Sequence, residues 1–196
     1  MKQKLGLVML AAGNSRRFGS NKLLALIDGD PMYCHILGEL MQVKETLERQ
    51  GLDCGITVVT QYDEIAEAAG EIGARVLYNL HPDEGISSSL KIGLKANRDA
   101  EACLFTVSDQ PWLRSETILT LIRCFLEEKK GIACVEHNGK TGNPCVFSKR
   151  YYGELLELDG DVGGKRVITR HREDTAVIEV IDGRELVDVD VRGCGM

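Results

Sequence analysis

Positive charge and small residues come together near the start of the chain, a combination suited to binding phosphate. Residues Leu5 to Leu10 form a short uncharged apolar run, which is the pattern of a buried strand. The tripeptide Ala11-Ala12-Gly13 follows at once and leaves the backbone almost bare, so that its N–H groups could form an anion-binding nest. Arg16, Arg17 and Lys22 then add cationic side chains in a chain whose formal net charge is -6. This stretch predicts a nucleoside triphosphate site, and an ordinary strand–turn with solvated arginines is the alternative.

Two aspartates stand in settings that suit a metal ion. Asp109 follows the apolar run 103–107, and a carboxylate there lies at the sheet edge where α/β proteins bind ligands. Asp161 is bracketed by glycines in the segment 158–165, which lets the backbone fold tightly around an ion or a phosphate. Carboxylate oxygens are the ligands that Mg²⁺ prefers. A capping or turn role for Asp109 and a plain loop turn at Asp161 are the alternatives, and nothing in the residues alone brings the two together.

A third polar segment, residues 79–94, combines loop-forming residues with a run of serines. Pro82 and Gly85 predict a loop, and Ser87 or Ser88 is expected to cap the helix that follows. A serine-rich helix start offers N–H and hydroxyl donors to a polar ligand. A capped loop without a ligand is the alternative.

Strand-like and helix-like segments alternate along the chain and would position these loops. Short apolar runs rich in β-branched residues indicate strands, and apolar residues at helical spacing indicate helices. Strands are predicted at 5–10, 56–60, 75–78, 103–107, 132–135, 175–180 and 187–189. Helices are predicted at 31–48, 63–69, 116–128 and 148–157, besides the one after the serines. The alternation predicts an α/β fold whose mostly parallel sheet is covered on both faces.

Composition places the chain among globular proteins and excludes several classes. Its 196 residues are most simply one domain, 1–196, and 43% hydrophobic with 28% charged residues is ordinary for a soluble protein. No apolar run reaches the roughly 18–20 residues of a membrane span, and the first run is too short for a signal peptide, so we expect a cytoplasmic protein with no membrane partner. The seven cysteines include no Cys-x-x-Cys pair, which argues against a zinc site or a disulfide framework. The acidic balance and the lack of a basic stripe argue against nucleic acid as a partner.

The first of these stretches resembles the signature loop of the MobA-like nucleotidyltransferases. Leu10-Ala11-Ala12-Gly13-x-Ser15-x-Arg17-x-Gly19-x-x-Lys22 follows the family form LAAGxSxRxGxxK. Late in the chain, Asp188-Val189-Asp190 resembles the start of the family's Asp-Ile-Asp-Thr-Pro. Within the group the chain is most similar to the molybdenum cofactor cytidylyltransferases, the MocA-like proteins, through three further segments in the same order: 79–94, 108–111 and 142–164.

These three segments match the subgroup with two departures. Asp109-Gln110-Pro111 resembles its metal-binding Asp-x-Pro, and the segment 160–164 resembles its Gly-Asp-x-Gly-Gly. Residues 79–94 resemble a segment that lies on the base side of the nucleotide pocket in relatives, but Leu80-His81 is extra here. Asn143 stands where relatives have the histidine of Gly-His-Pro-x-x-Phe.

The resemblance implies a Rossmann-like three-layer α/β/α fold of the nucleotide-diphospho-sugar transferase type. It also implies a Mg²⁺-dependent transfer of CMP from CTP to the phosphate of molybdopterin, with release of pyrophosphate. The implied partners are CTP or another NTP, molybdopterin, and a molybdoenzyme or its maturation chaperone. The alternatives are transfer to another phosphorylated acceptor, such as a sugar or polyol phosphate, and a non-catalytic nucleotide-binding role in cofactor maturation. An NAD(P) oxidoreductase is disfavoured because no G-x-G-x-x-G follows the first strand.

The resemblance assigns roles residue by residue. The implied catalytic residues are Arg17, Lys22 and Asp109, and the implied metal ligands are Asp109 and Asp161. Ala12 stands where guanylyl-transferring relatives have glycine, and its methyl group would narrow the space for a purine, so CTP is expected over GTP. The implied nucleotide-binding residues are Leu10, Ala11, Ala12, Gly13, Arg17, Lys22, Asn79, Gly85 and Ser88.

Overall fold

A seven-stranded sheet is the centre of the computed structural model, which describes residues 4–13 and 21–189. The strands are β1 (Lys4–Ala11), β2 (Leu26–Ile27), β3 (Asp30–Pro31), β4 (Asp53–Thr60), β5 (Arg75–Tyr78), β6 (Ala102–Val107), β7 (Ile132–His137), β8 (Lys140–Ser148) and β9 (Thr175–Glu179), of which β2 and β3 form a separate hairpin. The helices are α1 (Met32–Arg49), α2 (Asp63–Glu71), α3 (Ile86–Ala96), α4 (Ser115–Glu128), α5 (Tyr152–Leu156) and α6 (Lys165–Arg170). None of these described helices combines the length and the apolar composition that crossing a bilayer requires.

The strand order in the large sheet is β5-β4-β1-β6-β8-β7-β9. β1 pairs in parallel with β4 on one side and with β6 on the other, and β4 pairs in parallel with β5. β9 is parallel to β7, whereas β8 runs antiparallel to both of its neighbours, β6 and β7. The sheet is therefore mostly parallel, as predicted.

The side chains of β1 show why both faces of the sheet are covered. Successive side chains of a strand point to opposite faces. Leu7 and Met9 join a core built with α1, α2 and α4, whereas Val8 and Leu10 join a core built with α3, α5 and α6. A central parallel strand buried on both faces reads as a continuous apolar run, which is what the sequence shows. The predicted three-layer α/β/α fold is confirmed.

β8 is a strand that the sequence did not predict. Its first half contains Gly142, Asn143 and Pro144, which usually interrupt strands. The ladder with β7 skips two residues at this point, so Asn143 and Pro144 fall in a bulge outside the strand pairing. Proline lacks an N–H donor, and in a bulge that lack breaks no bond of the ladder.

Two local predictions are wrong. Residues 187–189 form no strand: this segment lies along the turn after β6 instead of at a sheet edge, where the Val189 N–H donates to the Asp109 carbonyl (2.9 Å). Neither Ser87 nor Ser88 caps α3, because the helix already begins at Ile86, after Gly85. The Ser88 hydroxyl instead lies within hydrogen-bonding distance of carbonyls in the preceding loop.

One acidic side chain joins the two helices that flank the Asp161 loop. Glu154 on α5 bonds Arg170 Nη1 (2.8 Å) at the end of α6 and His171 Nε2 (2.7 Å) just after it. The hydrogen bond from Arg170 has the largest influence and lowers the pKa of Glu154; partial burial opposes this shift, and the bond from His171 adds to it. This contact therefore joins the two helices between which the segment 157–164 lies.

The Glu154 contact predicts a defined pH dependence of stability. In the folded protein Glu154 stays ionised at pH values that protonate it in the unfolded chain, so its contribution is complete above about pH 4.3 and is lost as the pH falls through the lower folded-state value. Glu154→Gln is expected to lower the free energy of unfolding near neutral pH, and its difference from the unmodified protein should be full above about pH 4.3 and shrink as the pH falls below that value. Urea unfolding from neutral to acidic pH measures the difference, with Glu157→Gln on the exposed side as the control. A Glu154→Gln difference that is constant with pH would contradict the assignment.

Candidate nucleotide and metal site

The loops that follow four parallel strands meet at one edge of the sheet. β1, β4, β5 and β6 are parallel, so their carboxyl ends lie on the same side. The chain passes from β1 to β4 and β5 on one side of β1 and then returns to β6 on the other. Open α/β sheets bind ligands in the crevice outside such a switch point. Here residues 12–13 and 108–110 flank that crevice.

The end of β1 is tied to both of its neighbours through backbone carbonyls. Ser108 Oγ, just after β6, donates to the Leu10 carbonyl (3.0 Å). Thr60 Oγ1, at the end of β4, donates to the Ala11 carbonyl (3.1 Å). Both hydroxyl-bearing residues are buried, so these bonds form away from water. The predicted nucleotide-binding residues Leu10 and Ala11 are thus fixed as part of the sheet.

Side chains that follow β4 hold the next two carbonyls. Gln61 Nε2 donates to the Ala12 carbonyl (2.9 Å), and the Tyr62 hydroxyl donates to the Gly13 carbonyl (2.9 Å). Ala12 is only 3% exposed, whereas Gly13 is exposed and a Cβ on it would meet no atom of the described residues within 4 Å. Of the two, Gly13 therefore presents the open face. Gln61 and Tyr62 were not among the residues predicted from the sequence.

The structure brings the predicted cation and the predicted metal ligand together. Lys22 Nζ lies 2.8 Å from Asp109 Oδ2, although 87 residues separate them in the chain. The side chains are 15% and 24% exposed, and an ion pair partly withdrawn from water attracts more strongly than an exposed one. Lys22 is held by the turn that it begins, in which Asn21 Oδ1 accepts the Leu23 N–H (3.1 Å) and Leu23 is buried. Arg17, the other predicted cation, lies outside the described residues.

A second carboxylate lies beside the turn after β6. Gln110 Nε2 donates to Asp188 Oδ1 (2.9 Å), and the Val189 N–H donates to the Asp109 carbonyl. Gln110 is buried, and its Oε1 has no partner among the described residues. A role for Asp188 could have been predicted from the resemblance of residues 188–190 to the family's Asp-Ile-Asp, but no role was assigned to those residues from the sequence.

Asn79 organises the loop that was predicted to face the base. Its Oδ1 accepts the His81 N–H (2.9 Å), and its Nδ2 lies within donating distance of Ser88 Oγ (2.8 Å) and Ser89 Oγ (2.9 Å). Asn79 is 2% exposed, and both ends of its side-chain amide are engaged within the protein. The geometry gives Asn79 and Ser88 a role in shaping this loop, and direct contact of either with a nucleotide stays a prediction.

Gly85 packs against the loop that carries Asp161. The Ser87 N–H donates to the Gly160 carbonyl (3.2 Å), and a Cβ on Gly85 would lie 2.7 Å from the Asp161 nitrogen and collide with the Gly160 carbonyl group. Gly85 also has φ +87° and ψ -177°, a conformation essentially restricted to glycine. This contact brings the 79–89 loop and the 158–164 loop together.

The two predicted metal ligands are not seen in one cluster. Asp161 is exposed, and no hydrogen bond or ion pair of the described residues links it to Asp109. Residues 4–13 and 21–189 contain no group of three or more His, Cys, Asp or Glu side chains that could hold a metal ion. A metal ligand pair of Asp109 and Asp161 therefore stays a prediction, with Asp161 placed near the same sheet edge through Gly160.

The contact between the two loops predicts a large cost for a side chain at Gly85. Gly85→Ala is expected to lower the free energy of unfolding by about 3 kcal/mol or more, since backbone strain and a collision with Gly160 add together. Gly29→Ala is the matched control: Gly29 has φ +99° but no described atom within 4 Å of a Cβ, so we expect about 1 kcal/mol. Denaturant unfolding measures both values. Equal losses for the two variants would show that Gly85 and Gly160 do not pack as described.

Comparison with known proteins gives one family and several relatives. Residues 7–175 match the family described as the MobA-like NTP transferase domain. The chain is 32% identical over 136 residues to a "Probable molybdenum cofactor guanylyltransferase" of Pyrococcus horikoshii OT-3. That alignment covers 67% of this chain and 62% of the relative, so the match spans less than two thirds of the relative's length.

Solved structures show the same fold. The homologue of Mycobacterium tuberculosis Rv0371c from Mycobacterium sp. strain JC1 superposes with a TM-score of 0.77 and 26% identity, covering 97% of this chain and 92% of that one. Rv0371c of M. tuberculosis H37Rv in complex with manganese superposes with a TM-score of 0.70 and 20% identity, covering 91% and 89%. Since the family match extends from β1 to the first residue of β9, the chain belongs to the MobA-like NTP transferase domain family.

Proposed function

We propose that this protein is a nucleotidyltransferase that transfers CMP from CTP to the phosphate of molybdopterin and releases pyrophosphate. The observation that carries the proposal is the Lys22–Asp109 pair beside the switch point of the sheet. Family membership supports the reaction class, and the name of the P. horikoshii relative supports molybdopterin as the acceptor. That relative is named as a guanylyltransferase, so GTP is the competing donor. CTP is proposed as the donor because segments 79–94, 108–111 and 142–164 resemble the MocA-like form and because Ala12 stands where guanylyl-transferring relatives have glycine.

Such a transfer depends on positioning and charge neutralisation more than on covalent chemistry by the protein. An oxygen of the acceptor phosphate attacks the α-phosphorus of the NTP, and the bond to the pyrophosphate oxygen breaks. No side-chain nucleophile takes part. Lys22 would contribute its positive charge to the triphosphate from beside Asp109. Arg17 would add a second cation from the signature loop.

Mg²⁺ is the proposed metal, and the donor set fits it. Asp109 offers hard carboxylate oxygens, with Asp161 as the proposed second ligand. Mg²⁺ is usually held by one or two carboxylates together with substrate phosphates and water, which suits a site without a cluster of three protein ligands among the described residues. When bound, the ion would polarise the phosphate oxygens. Mn²⁺ is the second ion to assay.

The acceptor is tested by pyrophosphate release. Molybdopterin is compared with sugar and polyol phosphates, each with the four common NTPs. Release that requires molybdopterin supports the proposal, and release with another phosphorylated acceptor favours the alternative within the class. Binding of NTP without release under any condition would favour a non-catalytic role in cofactor maturation.

The ion pair at the crevice predicts large kinetic effects without large loss of stability. Lys22→Ala and Asp109→Asn are each expected to reduce turnover at least about 100-fold, because each removes a charge aimed at the triphosphate or its metal. The midpoint of thermal unfolding should change by only a few degrees, about the effect of 1 kcal/mol. Lys44→Ala and Glu48→Gln are matched controls, since they break an exposed ion pair of similar length (2.7 Å) on α1. Turnover by Asp109→Asn close to that of the unmodified protein at limiting Mg²⁺ would remove Asp109 from the site.

Base selection gives a separate prediction. We expect CTP to be preferred over GTP by at least about tenfold in kcat/KM, the scale on which pockets discriminate by one methyl-sized group. Ala12→Gly should relax this preference without reversing it, because the 79–89 loop would supply the remaining discrimination. Initial rates of pyrophosphate release with each nucleotide measure the ratio. Equal or better use of GTP by the unmodified protein would contradict cytidylyl transfer and leave nucleotidyl transfer standing.

A further inference from the structure

The carbonyls at the end of β1 change direction in a way that bears on nucleotide binding. Along a strand, successive carbonyls point to alternate sides, as they do at Leu10 and Ala11, which bond to residues of the β6 and β4 sides respectively. The next two carbonyls do not alternate. Those of Ala12 and Gly13 are both bound by side chains that follow β4, namely Gln61 and Tyr62. We call these two side chains the carbonyl clamp.

The clamp determines where the Gly13 N–H points. The Ala12–Gly13 peptide is trans, so its N–H is directed opposite to its carbonyl. Because Gln61 holds the Ala12 carbonyl on the β4 side, the Gly13 N–H faces away from β4. Tyr62 binds the next carbonyl, that of Gly13, from the same side. A backbone N–H held in a fixed direction is what an anion-binding nest offers to phosphate.

We propose that Gln61 and Tyr62 are positioning residues that hold the Ala12–Gly13 peptide with its N–H toward the phosphates of the nucleotide. They touch the loop and not the reacting atoms. The inference depends on the proposed function, since it concerns the same nucleotide. It adds residues that lie outside the signature loop and about 50 positions further along the chain.

The location of the clamp separates this role from a purely structural one. Gln61 and Tyr62 are half-buried, and the Tyr62 hydroxyl makes its bond at the surface. Thr60, whose hydroxyl accepts the Tyr62 N–H (3.1 Å), is fully buried and ties the same turn to β1 by itself. Loss of the Tyr62 hydroxyl therefore leaves the turn after β4 anchored, and the expected consequence is a misdirected peptide rather than a loosened fold.

The test compares two tyrosines at neighbouring strand ends. Tyr62→Phe removes the hydroxyl bound to the Gly13 carbonyl, and Tyr78→Phe removes one bound to the Asp63 carboxylate at the same distance (2.9 Å). Titration calorimetry with Mg²⁺ and either CTP or GTP measures the dissociation constant. Tyr62→Phe is expected to weaken binding about threefold to tenfold, the equivalent of one neutral hydrogen bond, and Gln61→Leu by a similar factor. Tyr78→Phe should bind as the unmodified protein does.

Kinetics provide a readout that a structural role would not move. The KM for the nucleotide should rise in Tyr62→Phe and Gln61→Leu, while the KM for the acceptor and the thermal midpoint relative to Tyr78→Phe stay unchanged. Nucleotide affinity and KM equal to those of Tyr78→Phe in both clamp variants would overturn the inference and leave the proposed function intact. Failure of the unmodified protein to bind either nucleotide would overturn the proposed function itself, and this inference with it.

Discussion

The parallel pairing of β1 with neighbours on both sides is the constraint on which the rest of the structure depends. Its register with β4 extends to its last residue, Ala11, and its register with β6 extends to Leu10. A slip of one residue would exchange the two faces of β1 and place each apolar side chain in the wrong core. With the register set, the residues after β4 and β6 arrive beside the last carbonyls of β1. The positions of the residues in the candidate site are therefore determined by the pairing of β1 with β4 and β6 more than by any single loop.

The parts of the fold that follow from local patterns were predicted from the sequence. The central parallel strands β1, β4 and β6 are apolar runs because they are buried on both faces. Helix α4 begins within one residue of its predicted start because its apolar spacing is regular. Strand β8 was not predicted, and the strand predicted at 187–189 is absent, because both outcomes depend on distant parts of the fold and not on the local pattern. Whether Pro144 is tolerated depends on a bulge that exists only against β7, and an apolar stretch forms a strand only where an edge can receive it.

The candidate site was predictable where a motif names a residue and unpredictable where a distant contact decides its role. The resemblance of residues 10–22 and 108–111 named Lys22 and Asp109, which the structure places in contact. Gln61 and Tyr62 were missed because a side chain that binds a backbone carbonyl 49 positions away leaves no local pattern. Asn79 shows the reverse case: the motif assigns it to nucleotide binding, but its side chain forms hydrogen bonds within the protein.

The extra Leu80-His81 dipeptide lies in a small side loop that is closed at both ends. Asn79 binds the His81 N–H and Ser88 lies within reach of the His81 carbonyl, while Leu80 is 79% exposed. This loop therefore accommodates the two additional residues before Pro82, and the contact between Gly85 and Gly160 is not displaced. The same two residues inserted after Gly85 would have to separate two backbones that already touch. Position 80 is accordingly a place where the chain can accept an insertion or a spectroscopic label while the crevice beside β1 keeps its shape.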